Sequence, residues 1–191
     1  MFDLMIAPTK RCPAFVCFLT LILLSIPSSP LADQFKVTRV YDGDTIRVET
    51  SEHVLYIMLV GIDSPEISCQ NNKQGQPFGH KAKTFLSDMI LRRMIEVQGY
   101  GAAPYPNNNI IGVIYLDGKN INLEMVRVGL AEVYRGKIPT DLDISLFLEA
   151  EKEAREARRG MWALGKKYLS PREWREMHRD ANISMPARDS K

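Results

Sequence analysis

Asp42-Gly43-Asp44-Thr45 opens a stretch that closes on Gly61-Ile62-Asp63-Ser64-Pro65-Glu66, with Ile46-Arg47-Val48-Glu49 and Val54-Leu55-Tyr56-Ile57-Met58-Leu59 between the two turns. The inner runs alternate or stay apolar and are bounded by turn residues, which predicts strands over 45–49 and 54–61. Folded as a hairpin, they bring Asp44 onto Asp63 and Glu66. Carboxylates gathered at strand ends repel one another, so a cluster kept together implies a bound cation. Oxygen ligands alone suit a hard ion such as Ca²⁺ or Mg²⁺. Taken singly, Asp42 and Asp44 also read as ordinary turn formers, because Asp-Gly favours turns.

Outward from this stretch, 35–41 reads as a first strand. Phe78, Ala82, Phe85, Leu86, Met89 and Ile90 fall on one helical face. A short strand over 95–98 leads into a loop over 99–109, rich in Gly, Pro and Asn. A further strand, 110–116, closes on the Asp117-Gly118 turn. Asn122 is placed as the cap of a short helix that ends before Gly129. Next come a short strand over 131–134 and a loop over 135–142. Phe147, Ala150, Ala154 and Ala157 stripe a helix that stops at Gly160, and the charges of 149–159 read as its solvated face. Ser170-Pro171-Arg172-Glu173 is a capping box with proline at the first helical position, so a last short helix follows. Periodicity alone yields one α+β domain.

A chain of 191 residues is long enough to bury a core. Its formal charge of +2 excludes a global basic field, so any nucleic-acid contact rests on a local cluster. Lys10 and Arg11 precede an apolar run over 12–26 and a small, turn-prone segment ending at Ala32. That is the layout of a secretory signal peptide, with export to the periplasm or medium as the expectation and an uncleaved N-terminal membrane anchor as the alternative. Cleavage removes Cys12 and Cys17 and leaves Cys69, so the mature chain forms no internal disulfide.

The two acidic turns, followed in order by Phe78-Gly79, Lys81-Ala82, Val126-Arg127-Val128-Gly129-Leu130-Ala131 and Gly160-Met161-Trp162, resemble the staphylococcal nuclease (thermonuclease) family. The resemblance implies an α+β fold: an OB-like five-stranded β-barrel with three α-helices, plus a short C-terminal helix. The expected layout is a leader over 1–32, the nuclease-like domain over 33–168, and a C-terminal helix and disordered tail over 169–191. The resemblance also implies that Asp44, Asp63 and the carbonyl of Ser64 hold calcium, and that Glu66 is the general base that orients water. Tyr134 and Arg135 fall near where the family presents an aromatic ring to a nucleotide base. The implied partner is DNA or RNA, read here as single-stranded and without sequence preference, bound by a monomer.

The chain departs from that pattern at two positions. Active members carry an arginine five residues before the second aspartate, where Met58 stands, and another before the strand after the long loop, where Asn109 stands. No Arg or Lys occurs between Val48 and Ile62. An arginine aimed at a transferring phosphoryl group contributes about 10³ to 10⁵ in rate. Loss of both implies impaired catalysis unless Lys81, Arg135 or Lys137 substitutes. Three readings remain, the first two being a metal-dependent nuclease and a non-catalytic OB-fold module that binds nucleic acid or protein. A structural domain whose acids are only turns is a third.

Overall fold

A computed structural model describes residues 34–67, 75–102 and 109–178. The expected leader, Cys69 and the tail beyond 179 lie outside the described residues. Strands β1 (Gln34–Val40), β2 (Thr45–Glu49) and β3 (Val54–Leu59) form an antiparallel meander. Alternation, shifted in β1 by an irregularity between Val37 and Arg39, decides their inner face: Val37, Val40, Ile46, Val48, Ile57 and Leu59 are buried. A two-residue strand, β4 (Ile62–Asp63), follows. Next, β5 (Met94–Ala102) pairs with β1 on one side and β6 (Asn109–Leu116) on the other. Strand β6 then runs parallel to β3, with Ile57 opposite Ile110 and Leu59 opposite Gly112, and this closes a five-stranded barrel. The hairpin to β7 (Lys119–Asn120) extends its edge.

Helix α1 (Gly79–Ile90) seals the barrel with Ala82, Leu86 and Ile90, as its stripe predicted. Helix α2 (Ile121–Arg127) leads to β8 (Glu132–Val133), which pairs with β4. Helix α3 (Ser145–Glu156), a 3₁₀ segment (Gly160–Lys167) and α4 (Pro171–Met177) complete the order. The predicted capping box is formed at Ser170 and Glu173. Gly129 and Gly160 are required by close approach: a Cβ on Gly160 would lie 2.1 Å from the Gly129 carbonyl, which accepts from Met161 N–H at 2.9 Å.

Three local expectations are corrected. Strand β5 runs on to Ala102, through the segment 99–102 that composition had assigned to a loop. Its far end is exposed and pairs through backbone, so apolar alternation could not mark it. The cap of α2 is Asn120, whose side chain accepts from Leu123 N–H at 2.9 Å, because the chain turns straight from β7 into the helix. Asn122 points inward instead, fully buried. Its Nδ2 donates to the carbonyls of Val60 (2.9 Å) and Gly112 (3.1 Å), and its Oδ1 accepts from Ile114 N–H (3.1 Å). Finally, α3 is not solvated throughout: Glu151 is 5 % exposed and accepts from Val133 N–H at 2.9 Å.

Candidate active site

The hairpin does bring the two acidic turns together. Asp42 Oδ1 accepts the backbone N–H of Asp44 at 2.9 Å, which sets the tight turn before β2. Asp44 Oδ2 then accepts Ser64 N–H at 2.7 Å across the hairpin, and Asp44 Oδ1 accepts the Thr45 hydroxyl at 3.1 Å. Asp63 is held one residue earlier by β4, opposite Glu132 in β8. Glu66 sits on a clamped loop. Its N–H donates to Gln76 Oε1 (3.1 Å), its carbonyl accepts from Gln76 N–H (2.9 Å), and Gln76 Nε2 donates to Leu169 O (2.8 Å). Gly79, at the start of α1, lies so close that a Cβ there would come within 2.3 Å of the Glu66 carbonyl oxygen.

Electrostatics follow from this crowding. Burial raises the carboxyl of Asp63 above the usual carboxylate range, opposed by bonds to Arg175 and reinforced by the Asp44 charge. Glu66 is raised for the same reasons in the same order. Burial and the neighbouring Asp44 push Asp42 up further still. Asp63 and Glu132 are cross-strand neighbours of like charge, an unfavourable pairing in a sheet. The Tyr168 hydroxyl donates to Glu132, and burial raises Glu132 as well.

Sequence reasoning missed Arg175. From α4 its guanidinium donates to both oxygens of Asp63 (2.9 and 2.7 Å) and to Glu66 Oε1 (2.7 Å). The capping box fixed the helix start, so an inward face was in principle readable, but a sequence separation of 112 residues hides the target.

Tyr134 is 39 % exposed, and Arg135 is ion-paired to Glu151. Both line a cavity of about 600 Å³ whose wall also includes Asp63, Tyr168 and Arg175. Lys81 lies over the Phe78 ring at 5.4 Å. Arg47 pairs with Glu49 at 2.8 Å on the outer barrel face, opposite Tyr56. Met58 stands opposite Thr45 and Ile111, and Asn109 is 5 % exposed with its Oδ1 unpartnered among the described residues.

A closed barrel carrying two joined acidic turns and a neighbouring glutamate is what the sequence motifs had implied. The pattern of the staphylococcal nuclease homologue family matches residues 56–164. The chain belongs to that family. A micrococcal nuclease of Shigella flexneri is 33 % identical over 172 residues, covering 84 % of this chain and 90 % of the relative. A protein of Debaryomyces hansenii named probable endonuclease LCL3 is 30 % identical over 75 % of this chain and 72 % of its own length. An uncharacterized endonuclease of Haemophilus influenzae is 30 % identical over 75 % and 74 %. The chain is thus a nuclease-like member of a hydrolase family.

Asp44, Asp63 and the Ser64 carbonyl supply oxygen alone, as a hard cation prefers. Each carboxylate oxygen bonded to Arg175 or Ser64 keeps a second lone pair. The residue types therefore fit. Among the described residues no three His, Cys, Asp or Glu side chains close up as a ligand group, so carbonyl and water ligands are needed to complete a shell.

Proposed function

We propose that this chain is a divalent-cation-dependent endonuclease, with Ca²⁺ the leading ion, that hydrolyses phosphodiester bonds of DNA or RNA with little sequence preference and acts on single strands as a monomer. The observation that carries the reading is the 2.7 Å bond from Ser64 N–H to Asp44, which joins the two acidic turns beside Glu66. Held by Asp44, Asp63 and the Ser64 carbonyl, the ion would supply positive charge against the non-bridging oxygens of the phosphate. Glu66 accepts the proton of the attacking water. A carboxylate held within reach of the attacking water is the group that such a proton transfer needs. The Gln76 clamp and the approach of Gly79 fix its backbone. Tyr134 offers a ring to a base at the cavity rim.

We further propose that residues 33–168 form the nuclease-like domain, that the C-terminal helix packs onto its acidic site through Arg175, and that the segment over 1–32 directs export. Among the described residues no helix is long and apolar enough to cross a membrane.

A second reading, a nucleic-acid-binding module without turnover, is favoured by two observations. Both Asp63 oxygens are engaged by Arg175, and positions 58 and 109 hold no cation. Digestion of single-stranded DNA across a calcium titration, with Mg²⁺ in parallel, separates the two. Cleavage that rises with ion occupancy, accompanied by a melting-temperature increase that Asp44→Ala abolishes, supports the enzyme. A melting curve unmoved by millimolar ion and intact DNA would refute it.

A further inference from the structure

Helix α4 is built to hold one guanidinium in one place. Pro171 is buried, the Ser170–Glu173 box caps the helix, and Leu169 is tied to Gln76, which is tied in turn to Glu66. From that support Arg175 reaches three carboxylate oxygens at 2.7 to 2.9 Å. Its side chain remains 37 % exposed and lines the cavity that Asp63 borders. The fork therefore bonds to two of the acids and also borders the space a ligand enters.

Charge decides what it does there. Of the anionic groups Asp44, Asp63 and Glu66, the last two bond to Arg175, whereas Arg135 and Arg155 on the same cavity wall are engaged by Glu151 and Arg172 by Glu176, and β3 carries no Arg or Lys. An entering phosphodiester adds a negative charge and is repelled by the acids. A divalent cation against Asp44 and Asp63 takes over their neutralisation and leaves the Arg175 charge in surplus. A planar fork that fits a carboxylate also fits two non-bridging phosphate oxygens.

We propose that Arg175 is a catalytic residue that grips the scissile phosphodiester. The cation for the phosphate thus comes from the C-terminal helix rather than from the barrel strands. The proposal rests on the nuclease reading above and names the substrate-facing group of that same site.

The test compares wild type with Arg175→Ala and Arg175→Lys. Turnover of single-stranded DNA in calcium should fall about 10² to 10³-fold in Arg175→Ala, the scale for one preorganised donor to a reacting oxyanion. Arg175→Lys, which keeps charge without the fork, should lie between. The calcium-induced rise in melting temperature should persist in both. Binding supplies the readout independent of activity. A fluorescent oligothymidylate with phosphodiester linkages, checked for integrity after each titration, should bind Arg175→Ala at least tenfold more weakly than wild type. A methylphosphonate analogue without backbone charge should bind both alike.

A wild-type protein that never cleaves removes the nuclease reading, and the diester-versus-methylphosphonate difference then decides Arg175 alone. Arg175→Ala that discriminates the two oligomers as wild type does overturns the proposal. So does turnover that rises, which would make Arg175 a plug in the site. Hydrogen exchange at the α4 amides reports whether the helix stays docked. If Arg175→Ala releases it, wild-type discrimination by Arg175→Lys overturns the proposal instead.

Discussion

Replacing Asn122 with alanine should destabilise the protein by about 3 kcal/mol, the sum for two buried backbone groups left without partners at roughly 1 to 3 kcal/mol each. The count comes from the bonding. Asn122 serves Val60 O, Gly112 O and Ile114 N. Gly112 O also accepts from Val60 N–H at 2.9 Å, so it stays satisfied in the variant. Val60 O and Ile114 N–H do not. For a domain of this size, about 2 to 4 °C of melting temperature is lost per kcal/mol, so a fall of about 10 °C is expected. Urea unfolding followed by the fluorescence of Trp162 and Trp174 measures the free energy. Asn122→Asp, which keeps the acceptor and loses the donors, should be no more stable than the alanine variant at neutral pH, because it also buries a charge. Because Val60 leads through Gly61 into Asp63, turnover should fall as well. A loss below about 1 kcal/mol, less than one unsatisfied group costs, would refute the claim that this side chain ties β3 to β6.

Other outcomes follow from the same geometry. Gly79→Ala must push the Glu66 backbone aside, so it should lower both stability and turnover, read by melting and digestion. Asp42→Asn should stabilise at pH 8 and lose that advantage towards pH 4. The folded-state carboxyl is raised, so the wild type gives up stability as pH climbs from the usual carboxylate range, about 4, through the raised one, while asparagine titrates nowhere. A pH series of melts on both proteins checks the sign. Met58→Arg should raise calcium-dependent turnover by about 10²-fold, the weight of one added donor beside the acids. Asn109→Arg should lower the melting temperature, since it places a charge at a buried position.

The barrel was legible because its strands obey a period of two over short, well-bounded runs, and because α1 shows its buried stripe openly. The acidic turns were legible because aspartate, glycine and proline mark strand ends by their backbone preferences alone. Other features have no local signature. Asn120 and Asn122 are both asparagines near a helix start, and only the carbonyls awaiting Asn122 inside the barrel tell them apart. Glu151 looks like any charge on a helix until Val133 and Arg135 are placed against it. Arg175 carries no local sign of the acids it meets. The bonds it makes depend on where α4 docks, next to the contact between Gln76 and Leu169.

The parallel pairing of β3 with β6 also sets the order in which the site can come into being. The acids at 44, 63 and 66 leave the ribosome early, but their frame closes only when Ile110 to Gly112 reach Ile57 to Leu59. Asp63 gains its strand partner at Glu132 later, and its counter-charge only at Arg175. High contact order of this kind delays assembly until most of the chain exists. A nascent or truncated chain ending before Pro171 holds like charges together without the guanidinium that balances them. The counter-charge therefore arrives with the last helix, and an unfinished copy carries the acidic residues without the arginine that balances them.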